Sequence, residues 1–188
     1  HKPDRRQRQM CIRDRYVMGW KVVSDIPTQK KYVIIVSPHT SNWDFIIGRC
    51  FGYMLEIEAK YLGKSQLFRF PYGWIFRLLG GIPVDRSKHN NLVAYAVELF
   101  KFSEGLVLGL APEGSRSRVE KWKLGFYHIA LGANIPIALA YLDYAKKEAG
   151  IGEMFHPSGE IQKDLQKIED FYKGISPKYS EKYNSKIF

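Results

Sequence analysis

The sequence predicts an α/β fold: a single domain with a mixed central sheet flanked by helices. Three observations predict it. Short β-branched runs alternate with stretches of helical spacing along the chain. The 188 residues are one domain's worth, enough to bury a core without disulfides or metal. The composition, 45% hydrophobic and 26% charged, is that of a globular protein rather than a disordered one.

Residues 32–37 (YVIIVS) have the pattern of a buried strand, closed by Pro38. Residues 42–53 take helical spacing, with Phe45, Ile46, Phe51 and Tyr53 as apolar positions. A short strand over 60–62 precedes an aromatic helix over 71–79. Gly80-Gly81 breaks that helix before a brief strand at 82–84. Residues 90–103 are the clearest amphipathic helix, with Leu92, Val93, Ala96, Leu99 and Phe100 on one face and Gly105 beyond its end. A strand over 106–110, a helix over 123–131 and a strand over 135–141 follow, the helix terminated by Gly132-Ala133-Asn134. The last helix, 161–172, aligns Ile161, Leu165, Ile168 and Tyr172. The domain therefore spans 16–176, and the Lys-, Tyr- and Ser-rich residues 177–188 read as a loose tail.

Residues 1–15 (HKPDRRQRQMCIRDR) show neither period and read as a non-native or disordered segment. Met-Cys-Ile-Arg-Asp is what ATG TGT ATA AGA GAC encodes, a string resembling a sequencing-library adapter. The segment carries +4 of the net +10, which leaves +6 on residues 16–188. A body this basic suits an anionic partner: nucleic acid, acidic lipid or a phosphorylated substrate. No apolar stretch reaches about 18 residues and no secretory h-region is present, so no spanning helix is expected and the expected compartment is the cytoplasm. Cys11 and Cys50 form no C-x-x-C pair, which speaks against a disulfide scaffold or a zinc module; no metal site is expected, and Cys50 reads as an inert buried thiol.

In α/β folds, ligand sites gather where strands end. Three loops do so here. The first carries His39 and Asp44, five apart. If the chain turns into a helix near 40–42, the carboxylate can fold back beside the imidazole, fix its tautomer and leave the other nitrogen free as a base. No protein nucleophile accompanies the pair, so the substrate would supply its own. The second loop, after Gly80-Gly81-Ile82-Pro83-Val84, carries Asp85 and Arg86. The third, Glu113-Gly114-Ser115-Arg116-Ser117, combines a glycine that permits close approach with hydroxyls and a guanidinium suited to phosphate or carboxylate.

These segments occur in order, followed by an apolar strand with Ile135-Pro136-Ile137. The arrangement resembles the glycerolipid acyltransferase family, best known for its 1-acylglycerol-3-phosphate acyltransferases, over about residues 32–141. The resemblance implies the following roles. His39 would be the general base and Asp44 its orienter. Asp85 and Arg86 would shape the acceptor site. Glu113, Gly114, Ser115 and Arg116 would bind the acceptor's polar head, Arg116 most directly at phosphate. Pro136 would lie near the acyl-donor channel. The implied co-substrate is an acyl thioester of coenzyme A or acyl carrier protein, with no further cofactor. Ser115 replaces the usual Thr, and Pro83 stands where the family has an aromatic or aliphatic residue. That second departure leaves open a lyso-lipid acceptor without phosphate, such as a lyso-aminolipid.

Phe68, Phe70, Tyr72, Trp74 and Phe76 cluster between the first two blocks, flanked by Lys60, Lys64, Arg69 and Arg77. They read either as core or as a face that beds into headgroups at an anionic membrane, which would place the protein peripherally on the cytoplasmic side. Aromatic and basic residues together also suit a single-stranded nucleic-acid binder. That reading leaves His39 and Asp44 unexplained, so nucleic acid is not expected as a partner.

Overall fold

The computed structural model describes residues 16–17, 19–24, 27–84, 91–184 and 186–187. Among them, eight strands form one mixed sheet. The strands are β1 (Tyr16–Val17), β2 (Trp20–Val22), β3 (Lys31–Ser37), β4 (Ala59–Lys64), β5 (Gly81–Val84), β6 (Leu106–Leu110), β7 (Ile137–Asp143) and β8 (Glu148–Phe155). Their spatial order is β1-β2-β8-β7-β3-β6-β4-β5. Pairing is parallel except for β1 with β2 and β7 with β8. The helices are α1 (Asn42–Met54), α2 (Gly73–Leu78), α3 (Leu92–Phe102), α4 (Gly125–Ala133) and α5 (Ile161–Tyr172).

Strand alternation sorts the core into two layers. On β3, Val33 and Ile35 face one side, where they meet Phe100 of α3, Phe126 and Ala130 of α4, and Leu165 and Ile168 of α5. Tyr32 and Ile34 face the other side, with Ala138, Ala140 and Leu142 of β7 and Phe51 and Leu55 at α1. Three helices cover the first face. The second face presents small residues from β7 and β8 to α1, which itself carries Gly48 and Gly52. Small side chains on both surfaces leave space between them.

The expected elements from 32 to 172 form in order, with ends that coincide or shift by at most two residues. Asn134 closes α4 in the left-handed conformation at φ 51°, a usual helix terminator. On α1 the expected apolar face is only partly right: Phe51 is buried, whereas Tyr53 is 86% exposed. Strands β1, β2 and β8 carry no clear sequence signal. Gly150 and Gly152 interrupt β8 and weaken its pattern. Gly150 is required by packing, since a Cβ there would lie 1.9 Å from the Val23 carbonyl oxygen.

The described residues of the tail are packed against the domain rather than loose. Ile187 is 1% exposed within the first core layer. Its amide donates to Glu169 Oε2 (3.1 Å), and its carbonyl accepts from the Trp122 amide (3.0 Å). Asn184 Nδ2 donates to the carbonyls of Val119 and Glu120. One buried isoleucine outweighs the polar composition around it. The segment 1–15 lies outside the described residues.

Candidate active site

The site grows from the junction of β3 and α1. Ser41 caps α1: its hydroxyl accepts from the Trp43 amide (3.1 Å), while the Asp44 carboxylate accepts from the Ser41 amide (2.8 Å). This is a reciprocal capping box. Asp44 Oδ2 also accepts from the Thr40 amide (2.8 Å) and lies 3.4 Å from His39 Nδ1. The carboxylate therefore terminates the helix and faces the imidazole at once. Tyr144, in the turn after β7, donates its hydroxyl to Asp44 Oδ1 at 2.6 Å. Burial pushes the Asp44 carboxyl up, but hydrogen bonds from His39, Tyr144 and Ser41 outweigh it and hold the group below its ordinary value.

The His39 side chain is 22% exposed and opens on a cavity of about 410 Å³ between α1 and the second face of the sheet. Asp44 and Gly114 also reach this cavity. Apart from them it is mainly apolar, walled by Phe45, Phe51 and Leu55 from α1 and its end, by Tyr61 and Leu62, and floored by Ile34, Ala140 and Ile151. The small residues Gly48, Gly52 and Ala149 line it and give it volume. A base at the mouth of an apolar cavity suits chemistry on the polar end of an aliphatic chain.

Glu113 is 3% exposed and turned inward. Its Oε1 accepts from Ser37 Oγ (2.8 Å) and from the His39 backbone amide (2.9 Å). Burial raises its pKa above the ordinary value despite those bonds. Gly114 follows in the left-handed region at φ 65°, and a Cβ there would lie 3.0 Å from the Lys123 side chain. Ser115 and Arg116 stand exposed on the loop after β6. Ser115 Oγ accepts from the Ser117 amide.

The structure thus brings His39, Asp44, Glu113 and Gly114 together and leaves Ser115 and Arg116 in solvent. Asp85 and Arg86 lie outside the described residues. Pro136 does not itself line the cavity. Its carbonyl accepts from the Val33 amide, at the end of the sheet opposite Ser37, and Ala140, Tyr141 and Leu142 are the residues of β7 that line the cavity. The Ser-x-x-Asp spacing signals the capping box in sequence; nothing local signals Tyr144. Among the described residues, no three His, Cys, Asp or Glu side chains converge as metal ligands, and no helix is long and apolar enough to cross a membrane. Cys50 is half-buried.

Residues 20–141 match a family model described as Acyltransferase. A 1-acyl-sn-glycerol-3-phosphate acyltransferase of Streptococcus pneumoniae (strain ATCC BAA-255 / R6) is 30% identical over a 97-residue alignment that covers 48% of this chain and 34% of that protein. The match spans about a third of that relative's length. The crystal structure of the 1-acyl-sn-glycerophosphate (LPA) acyltransferase PlsC from Thermotoga maritima shares the fold, with a TM-score of 0.55 and 20% identity. It covers 84% of this chain and 75% of that one.

Proposed function

The chain belongs to the acyltransferase family, and from that premise we propose that its domain, with the packed tail included, moves a fatty acyl group from an acyl thioester to a hydroxyl of a lysophospholipid, best read as 1-acylglycerol-3-phosphate. The observation that carries this reading is the His39–Asp44 pair at the mouth of an apolar cavity.

With Nδ1 turned to Asp44, the other imidazole nitrogen of His39 is left as the base. It takes the proton of the acceptor hydroxyl as that oxygen attacks the thioester carbonyl. The tetrahedral intermediate collapses, the carbon–sulfur bond breaks, and the leaving thiolate takes the proton from His39. The acyl chain occupies the cavity. Glu113 acts by holding the His39 loop through Ser37 and the His39 amide, rather than by touching the acceptor. Gly114, Ser115 and Arg116 receive the polar head, joined by Asp85 and Arg86. The donor is a thioester of coenzyme A or acyl carrier protein. An anionic membrane surface is the acceptor's setting, which suits the charge of +6 on residues 16–188.

A lyso-lipid without phosphate is the second reading. Pro83, exposed just before the acceptor-binding stretch, favours it. Products formed from a panel of lyso-lipids with both donor types, identified by mass spectrometry, test the function. Arg116→Ala separates the two acceptors. A guanidinium on phosphate contributes about 1.5–3 kcal/mol, so the variant should lose wild type's preference for the phosphorylated acceptor over its dephosphorylated counterpart. A wild type without that preference contradicts the phosphate reading.

A further inference from the structure

The crossover between β4 and β5 holds five aromatic residues, and the structure divides them. Phe68 is turned in, 6% exposed. Its ring occupies a slot in which a Cβ on Gly63 or on Gly81 would come within 2.8 Å of it. Phe76 meets it edge-on, with ring centroids 6.1 Å apart. This anchor fixes the segment. Phe70, Tyr72, Trp74 and Leu78 point outward, 97%, 66%, 64% and 76% exposed. So dense an exposed apolar group on a rigid element marks a surface that meets something.

Its charge narrows what that is. The crossover proper contains Arg69 and Arg77 and no Asp or Glu, and Lys64 precedes it at the end of β4. Arg77 and Leu78 border a pocket that also holds Lys60, Glu56 and Glu58, so the positive end of the patch is at Lys64 and Arg69. Both of these cations are exposed. A second copy meeting this patch through a two-fold axis would set cations against cations. An anionic partner with an apolar interior satisfies both components.

Position supplies the third argument. β4 runs parallel to β6, and β6 runs parallel to β3. The crossover therefore leaves β4 at the end of the sheet where the His39 loop leaves β3. Tyr61 of β4 lines the cavity and packs edge-on against Phe45 of α1, with centroids 5.4 Å apart.

We propose that this crossover is a docking surface for an anionic lipid bilayer, with Phe70, Tyr72, Trp74 and Leu78 entering the headgroup region and Lys64 and Arg69 facing the lipid phosphates. Docked there, the domain presents the cavity mouth to the membrane, so a lipid acceptor reaches His39 from the interface. From the proposed function this takes only that the acceptor is a lipid.

The test is co-sedimentation of the full chain with vesicles of phosphatidylcholine alone and of phosphatidylcholine mixed with phosphatidylglycerol. Wild type should bind the anionic vesicles and be released by salt. Phe70→Ser/Trp74→Ser removes two exposed side chains and should lower partitioning on the order of tenfold or more, with an unchanged melting temperature and unchanged transfer between soluble short-chain substrates. Lys64→Glu/Arg69→Glu is the second variant and should lose the preference for anionic vesicles. Residues 1–15 contribute the same +4 to every protein compared, so the differences read the crossover alone. No substrate is present, so binding stands or falls separately from the transferase reading. Wild-type sedimentation by both variants overturns the proposal. So does a wild-type dimer that Phe70→Ser/Trp74→Ser dissociates while vesicle binding persists.

Discussion

The Tyr144 hydroxyl donates to Asp44 Oδ1 at 2.6 Å, joining residues a hundred positions apart. Oδ2 is held by the Thr40 and Ser41 amides, so the carboxylate is pinned on both oxygens as it faces His39. Tyr144 is itself fixed. Its ring meets Trp20 edge-on at 4.8 Å, and its amide donates to the Ser176 carbonyl. Burial, and then Asp44 itself, push its pKa far above ordinary, so it remains a donor. In the proposed mechanism Tyr144 is a positioning residue for the His39–Asp44 pair.

Tyr144→Phe keeps the ring packing and deletes only the donor. A hydrogen bond to a charged group contributes about 1.5–3 kcal/mol. The part that orients His39 should appear in kcat, as a loss of about tenfold per 1.4 kcal/mol, with KM for both substrates little changed. Steady-state kinetics on the folded variant check this. A change confined to thermal stability would make the bond merely structural.

Gly48 lines the cavity, and a Cβ there would meet nothing within 4 Å. Gly48→Ala should therefore stabilise α1 by about 1 kcal/mol without touching the site. Gly48→Leu should fill the acyl space. Each methylene denied burial costs about 0.8 kcal/mol, or about fourfold in kcat/KM. Long-chain donors should lose ground to short-chain ones, as read by competition between acyl thioesters of different length. An unchanged chain-length profile would place the acyl chain elsewhere.

Glu113 gives a stability signature with a definite sign. Burial raises its pKa above the ordinary 4.5, against the pull of its hydrogen bonds. A carboxyl raised on folding contributes stability below its unfolded pKa, and that contribution is lost as pH rises through the folded value. Asp44, lowered on folding, runs oppositely: its contribution is present above the unfolded value and lost as pH falls through the folded one. Glu113→Gln keeps an amide oxygen that can accept from Ser37 and His39. Its melting temperature should rise relative to wild type as pH increases through the mildly acidic range, and the gap should level off at neutrality. A gap independent of pH would contradict the buried, raised carboxyl.

The local geometry of the strand–helix junction was readable in the sequence, and long-range placement was not. His39 and Asp44 lie on one strand–helix junction, so five-residue spacing and a capping serine are enough to bring them together. Glu113 reads as a polar loop residue, and only the fold turns it inward beneath the His39 loop. Tyr144 arrives from a turn between two strands whose pairing no local pattern announces, because Gly150 and Gly152 blur β8. The aromatic cluster could be read as core or as surface until the glycine slot around Phe68 separated the anchor from its outward neighbours.

The measurement that bears most directly on the central claim is acyl transfer to 1-acylglycerol-3-phosphate by wild type and His39→Ala, with the melting temperature of each recorded alongside. Wild type should form the diacylated product. Loss of a positioned base should lower the rate by about 10²–10⁴-fold in a variant that still melts like wild type. Near-normal turnover by a folded His39→Ala protein would contradict the account.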